Sequence, residues 1–166
     1  MRGVSLGFSL VECLVALVVL AIGMLGTATL ILEGLRNAHL ALLHTQAVNL
    51  VSDMIERIRA NPAAGPAYEC ATYAARPTDH GCAATDRALA TACTPAELAE
   101  DDIAQWQSAA RAALPQPDDA CAANVSYLAA AAASDTSRYR VSVSWLARGE
   151  LVPLTYESDL LLASSK

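Results

Sequence analysis

Along the first sixty residues the spacing of apolar and polar positions changes character once, and each part predicts a different surrounding. From Cys13 to Leu32 no side chain is charged and the apolar residues fall on every side of a helical wheel. Twenty such residues, at roughly 1.5 Å each, match the ~30 Å hydrocarbon layer of a bilayer. Past Glu33 the pattern becomes amphipathic. Leu40, Leu43, Ala47, Leu50, Met54 and Ile58 recur at steps of three and four, with Gln46, Asn49, Asp53 and Glu56 between them. That period predicts a helix with one buried stripe. It ends at Asn61-Pro62, because a residue before proline is pushed out of the helical region. Phe8 to Ala60 then reads as one nearly continuous helix of about 80 Å. Gly23, Gly26 and Gly34 are its weak points, or a small-residue face for close packing.

The remaining chain alternates between loops and short elements. Ala63 to Thr94 is rich in Pro, Gly, Ala and Cys without a period and reads as a loop region. A second helix is announced by TPAELAEDDIAQWQSAARAAL: Thr94 caps it, Pro95 opens its first turn, Glu97 completes a capping box and Pro115 ends it. Its buried side is expected from Leu98, Ile103, Trp106, Ala110 and Leu114, with Trp106 a core residue. Near Asn124 to Leu128 a short strand is expected. In RYRVSVSW the period falls to two, with Tyr139, Val141, Val143 and Trp145 on one face. A turn over Ala147–Glu150 returns the chain through Val152, Leu154, Tyr156, Ser158 and Leu160. Pro153 marks an edge or a strand start. The run Ala129–Ala133 fits loop, helix or strand end equally. The expected class is α+β: a long N-terminal helix, half membrane-spanning and half amphipathic, under a small antiparallel sheet.

Charge and cysteine usage set the compartment. The net charge is −6, and residues 1–60 balance four basic against four acidic groups, so the excess lies in the second part. An acidic head repels phosphate backbones, which argues against nucleic acid as a partner. Only Arg2 precedes the apolar run, and the positive-inside rule places that end in the cytoplasm and the bulk of the chain outside; Arg36 just past the span weakens the bias. Cys70, Cys82, Cys93 and Cys121 all fall in the head, an even number suited to two disulfides in an oxidising compartment, with three possible pairings. Cys13 reads as a small apolar filler.

No catalytic set stands out. His39 and His44 are five apart on the helix, His80 is in a loop, and there is no nucleophile elbow, phosphate loop or metal-ligand spacing. Asp101-Asp102 and Asp118-Asp119 read as solvated surface. The sequence therefore predicts no enzyme, no cofactor and no metal site. The unusual residue is Glu12, at the head of the apolar run, where scales charge roughly +2.5 to +3.5 kcal/mol for an acid at a helix centre. If the chain is cut after Gly7, Phe8 gains a free amine about one helical turn before Glu12. Such an amine, its own or a neighbour's, makes the buried carboxylate tolerable.

Gly7-Phe8-Ser9-Leu10-Val11-Glu12, followed by a long apolar run, closely resembles the class III signal of type IV pilins and type II secretion pseudopilins. The resemblance implies a cytoplasmic leader over 1–7, cut by a prepilin peptidase between Gly7 and Phe8. It also implies N-methylation of Phe8 and recruitment of neighbouring subunits by Glu12. Residues 8–32 would be the transmembrane half of the helix, 33–60 its amphipathic half and 61–166 the periplasmic head. The ending Asp53-Met54-Ile55-Glu56-Arg57-Ile58-Arg59-Ala60-Asn61-Pro62 resembles the signature that closes this helix in PilV-type minor pilins, and the Trp106 helix and the Tyr139–Trp145 strand are similar too. Two departures are the lack of a proline before Pro62 and the cysteine after Glu12. The implied role is scaffolding: a minor pilin that starts a type IV pilus. Its partners would be other minor pilins, the major pilin and the inner-membrane assembly platform, with adhesion and twitching motility as indirect consequences. The alternatives are a minor pseudopilin of a type II secretion system and a pilus-tip adhesin using the Cys70–Cys121 region.

Overall fold

In the computed structural model the described residues are 9–70, 80–82, 93–115, 123–130, 136–148 and 151–163. The chain divides into two units, Met1–Ala41 and Leu42–Lys166. Helix α1 spans Leu10–Ala60 and runs without a break through Gly23, Gly26 and Gly34. A 3-10 helix follows at Pro62–Tyr68, then α2 at Pro95–Ala113 and strands β1 (Ala123–Leu128), β2 (Thr136–Trp145) and β3 (Leu154–Ala163). The strands form an antiparallel sheet in the order β1-β2-β3. This is the α+β layout expected.

In the second unit one core collects a stripe from each element. Helix α1 contributes Leu43, Ala47, Val51, Met54 and Ile58, α2 contributes Ala99, Ile103, Trp106 and Ala110, and the sheet contributes Val125, Tyr139, Val141, Val143, Trp145 and Leu160. Most of the predicted α1 stripe is there, but Val51 does the work expected of Leu50, which is half-buried, and Leu40 is exposed. On β2 the buried set is the alternating one predicted. β3 begins at Leu154, after Pro153, and lies at the sheet edge. In α2, Leu98 is half-buried, while Asp101 and Gln107 join the buried side.

Polar bonds fix the directions of packing. The Asn61 side-chain amide donates to the Pro95 carbonyl at 2.8 Å, and the Trp106 indole N–H donates to the Leu50 carbonyl at 2.8 Å. Helix α2 thus runs antiparallel to the part of α1 it covers. The Tyr139 hydroxyl donates to the Gly65 carbonyl at 3.1 Å, whereas the Trp145 ring lies 6.2 Å from the ring of His44. β2 therefore also runs back along α1. Gly65 interrupts the 3-10 helix at φ +52°, a backbone region that an L side chain avoids, and this turn brings its carbonyl to Tyr139.

The start of α2 is built as expected. The Glu97 N–H donates to the Thr94 hydroxyl at 3.3 Å, and the Thr94 N–H donates to the Glu97 carboxylate at 2.7 Å. That backbone bond, and the bond from the Thr94 hydroxyl, hold the Glu97 pKa below its ordinary value.

Two outcomes follow for the full-length chain in detergent. Trp106→Ala should destabilise the head by about 3–5 kcal/mol in denaturant titrations, the usual cost of removing a buried tryptophan. Trp106→Phe should cost less, because the Leu50 carbonyl keeps its helical bond. The folded pKa of Glu97 is lowered, so its contribution is present above its ordinary value of 4.5 and is lost as pH falls through the folded value. Melting curves from pH 6 down to about pH 3 should show a smaller loss of melting temperature in Glu97→Gln than in the parent.

Candidate functional site

At the start of α1 the backbone N–H groups of Glu12 and Cys13 donate to the Ser9 carbonyl at 3.0 and 3.2 Å, which places Glu12 in the first turn. A carboxylate there meets the unpaired N–H groups of the helix terminus, a favourable position for negative charge. Gly7 and Phe8 lie outside the described residues. From Ser9 to Leu42 every residue is exposed, and leucines, valines and isoleucines surround the helix: Leu10 is 82% exposed and Leu25 69%. This helix is long and apolar enough to cross a membrane. The hydroxyls of Thr27 and Thr29 bond within the helix, Thr27 donating to the Met24 carbonyl at 2.9 Å and Thr29 to the Gly26 carbonyl at 2.8 Å. The Glu12 carboxylate makes no hydrogen bond or ion pair among the described residues. Ionised, its carboxylate is a hydrogen-bond acceptor only.

The residues at the other end of α1 form a clamp. Arg57 donates from Nε to Asp53 at 2.9 Å and from Nη1 to Asp102 on α2 at 2.9 Å. The second carboxylate oxygen of Asp102 accepts the Tyr68 hydroxyl at 2.7 Å. Three elements therefore meet at one carboxylate. Burial opposes the charge on Arg57, but the bonds to Asp102 and Asp53 outweigh it and its pKa is raised. Burial pushes the Tyr68 hydroxyl well up, and the bond to Asp102 adds to the rise. Met54 is fully buried, and Asn61 ties the helix end to Pro95. Pro62 opens the 3-10 helix. Glu56 and Arg59 pair on the surface, where such a bridge contributes little. Local pairs were legible in the sequence; the reach of Arg57 to Asp102 and Tyr68 was not, since nothing in their spacing links positions 57, 68 and 102.

Asp101 and Asp102 correct the expectation of a solvated acidic pair. Asp101 is 1% exposed and accepts the His80 N–H at 2.8 Å, and the side chain of Asp102 is 13% exposed within the clamp. His80 is likewise not alone. Its Nε2 lies 2.8 Å from a Glu100 oxygen, and that contact raises its pKa. Two residues on, Cys82 is bonded to Cys93. Cys70 takes a bond to Sγ from the Gln107 amide at 2.9 Å, and its backbone pairs with Val125. Cys121 and the Asp118-Asp119 pair lie outside the described residues. Among the described residues no group of three or more His, Cys, Asp or Glu side chains is placed to hold a metal.

Residues 3–28 match the family described as the prokaryotic N-terminal methylation motif. Residues 30–104 match the family described as Tt1218-like, type IV pilin Tt1218. No curated protein and no solved structure gives a significant match. The two family matches follow one another with a single residue between them: the first covers the exposed start of α1, the second carries on through the Arg57 clamp into α2. The chain is thus similar to a type IV pilin family over residues 30–104 and to the N-terminal methylation motif over residues 3–28.

Proposed function

We propose that this protein is a minor pilin of the PilV type that helps to start type IV pilus assembly within a priming complex of several minor pilins. The carrying observation is Glu12: a carboxylate with no partner among the described residues, in the first turn of a helix whose next thirty residues are exposed and largely apolar. A carboxylate so placed is costly in lipid and becomes favourable when a neighbour's terminal amine meets it. The ending Asp53–Pro62 favours the PilV type over a type II secretion pseudopilin, by the resemblance already described.

On this reading residues 1–7 are a leader removed by prepilin peptidase, and the new amine of Phe8 is methylated. Residues 8–32 cross the inner membrane once, residues 33–60 are the amphipathic half of the helix, and the head, from Asn61 onward, folds in the periplasm. The Arg57 clamp has a positioning role: it holds α2 and the 3-10 helix against the amphipathic half of α1. The protein acts as a scaffold. Its partners are other minor pilins, the major pilin and the assembly platform, and its place in the fibre is the tip.

The experiment is a comparison of sheared surface pilin from a strain lacking the gene and from strains complemented with the intact gene or with Glu12→Ala. Surface pilin should fall to near background in the deletion strain and return with the intact gene only. The Glu12→Ala chain should still be trimmed to its mature length and remain in the inner membrane. Normal pilin yield in the deletion strain would contradict the priming role. Gly7→Ala should leave a chain that keeps residues 1–7, read as an intact mass of the membrane fraction; normal trimming of that variant would refute the cleavage site.

A further inference from the structure

Helix α1 ends before the sheet that covers it does. Its last core residue is Ile58. On the inward face of the sheet, Tyr127, Ser137, Tyr139 and Leu162 continue the rows begun by Val125, Val141 and Leu160. These last rows meet the 3-10 helix instead, where the Tyr139 hydroxyl bonds to Gly65. That short helix buries Ala64 and Tyr68. Neither lines the space that remains, a cavity of about 360 Å³ between Pro62 and Gly65 on one side and the four sheet residues on the other.

The cavity has a defined chemistry. No described side chain lining it is charged, so neither an anion nor a cation finds a counter-charge there. It is not purely apolar either, because three of its residues carry hydroxyls. Those of Tyr127 and Ser137 lie 3.3 Å apart and share one hydrogen bond, and that of Tyr139 donates to the Gly65 carbonyl at 3.1 Å. A hydroxyl has one proton and two lone pairs. Two of the three protons are taken up by these bonds, while most of the lone pairs stay free. The site is therefore rich in acceptors and short of donors. The Tyr127 and Tyr139 rings are 4.9 Å apart, centre to centre. Tyr139 is 2% exposed and Tyr127 only half-buried, so Tyr127 supplies the aromatic surface still open to a ligand.

We infer that this cavity binds a neutral sugar, one hexopyranose ring seated against Tyr127. The ring hydroxyls are the donors that the site lacks. Its C–H face suits the tyrosine ring together with Pro62 and Leu162, and its neutrality matches the uncharged lining. Small-molecule sites enclose roughly 300–1,000 Å³, so a space at the low end of that range suits a single ring. A proline-rich peptide brings too few N–H donors for the free lone pairs. An acyl chain would leave the hydroxyls facing hydrocarbon. The inference uses residues of the second unit alone and goes beyond the assembly role proposed above.

The test is saturation-transfer difference NMR of the full-length chain in a detergent without a sugar headgroup, with the methyl glycosides of glucose, galactose and mannose as probes. At least one should give a signal, strongest at the ring C–H protons. Tyr127→Ala should abolish it, and Ser137→Ala should weaken binding about fivefold, the usual worth of one neutral hydrogen bond. Leu162→Trp, which fills the cavity without removing a hydroxyl, should abolish the signal too. Leu161→Ala, on the outer face of the same strand, should leave it unchanged. Amide-proton spectra establish that each variant compared is folded. No signal from the parent with any of the three glycosides would overturn the inference. So would a signal that survives either Tyr127→Ala or Leu162→Trp in a folded head. A signal from acetyl-proline amide and none from the glycosides would assign the cavity to peptide and overturn it as well.

Discussion

The fold depends on one requirement: α1 must have its stripe from Leu43 to Ile58 covered. A three-stranded sheet and a nineteen-residue helix have little core of their own, and each turns its apolar face to that stripe. The Trp106 bond to the Leu50 carbonyl shows how close the approach is. A helical carbonyl has two lone pairs, one taken within the helix, and the indole N–H uses the other. Such a bond forms only when the rings and the backbone are in contact, so burial and hydrogen bonding fix the same geometry.

The clamp at the end of α1 adds direction to that burial. An apolar stripe alone tolerates sliding by a turn, because leucine, valine and methionine replace one another with modest cost. Arg57, Asp102 and Tyr68 do not tolerate it. A shift of one helical turn, about 5.4 Å, would leave a half-buried guanidinium and a nearly buried carboxylate without partners. The clamp sets the register in which α2 and the 3-10 helix meet α1, whatever it adds to net stability.

Much of this was legible in the sequence because it is local. The proline after Asn61, the Thr94–Glu97 capping box and the two-residue period of Tyr139 to Trp145 each act within a few residues, and each element formed as read. The misses share one cause. Asp101 and Asp102 looked solvated because charge is the only thing a single sequence shows about them, whereas their burial is created by His80, Tyr68 and Arg57, brought in from 21 to 45 positions away. Val51 and Leu50 differ by one step on the wheel, which the direction of approach of the covering elements decides. At the N-terminus the reverse holds. Glu12 is conspicuous in the sequence, and its position in the first turn adds where its carboxylate stands but not what meets it.

The hydroxyls of Thr27 and Thr29 are turned back onto the carbonyls of their own helix. With those bonds made internally, the outer surface of this segment offers side-chain hydrocarbon almost throughout. Transfer of such a surface from acyl chains to the flanks of other apolar helices exchanges one hydrocarbon contact for another and breaks no hydrogen bond. The move is then nearly thermoneutral along most of the helix. On the proposed reading, in which Glu12 meets a neighbour's terminal amine, the difference in free energy between the two surroundings is concentrated at one carboxylate, so a single side chain would act as the latch for the whole segment.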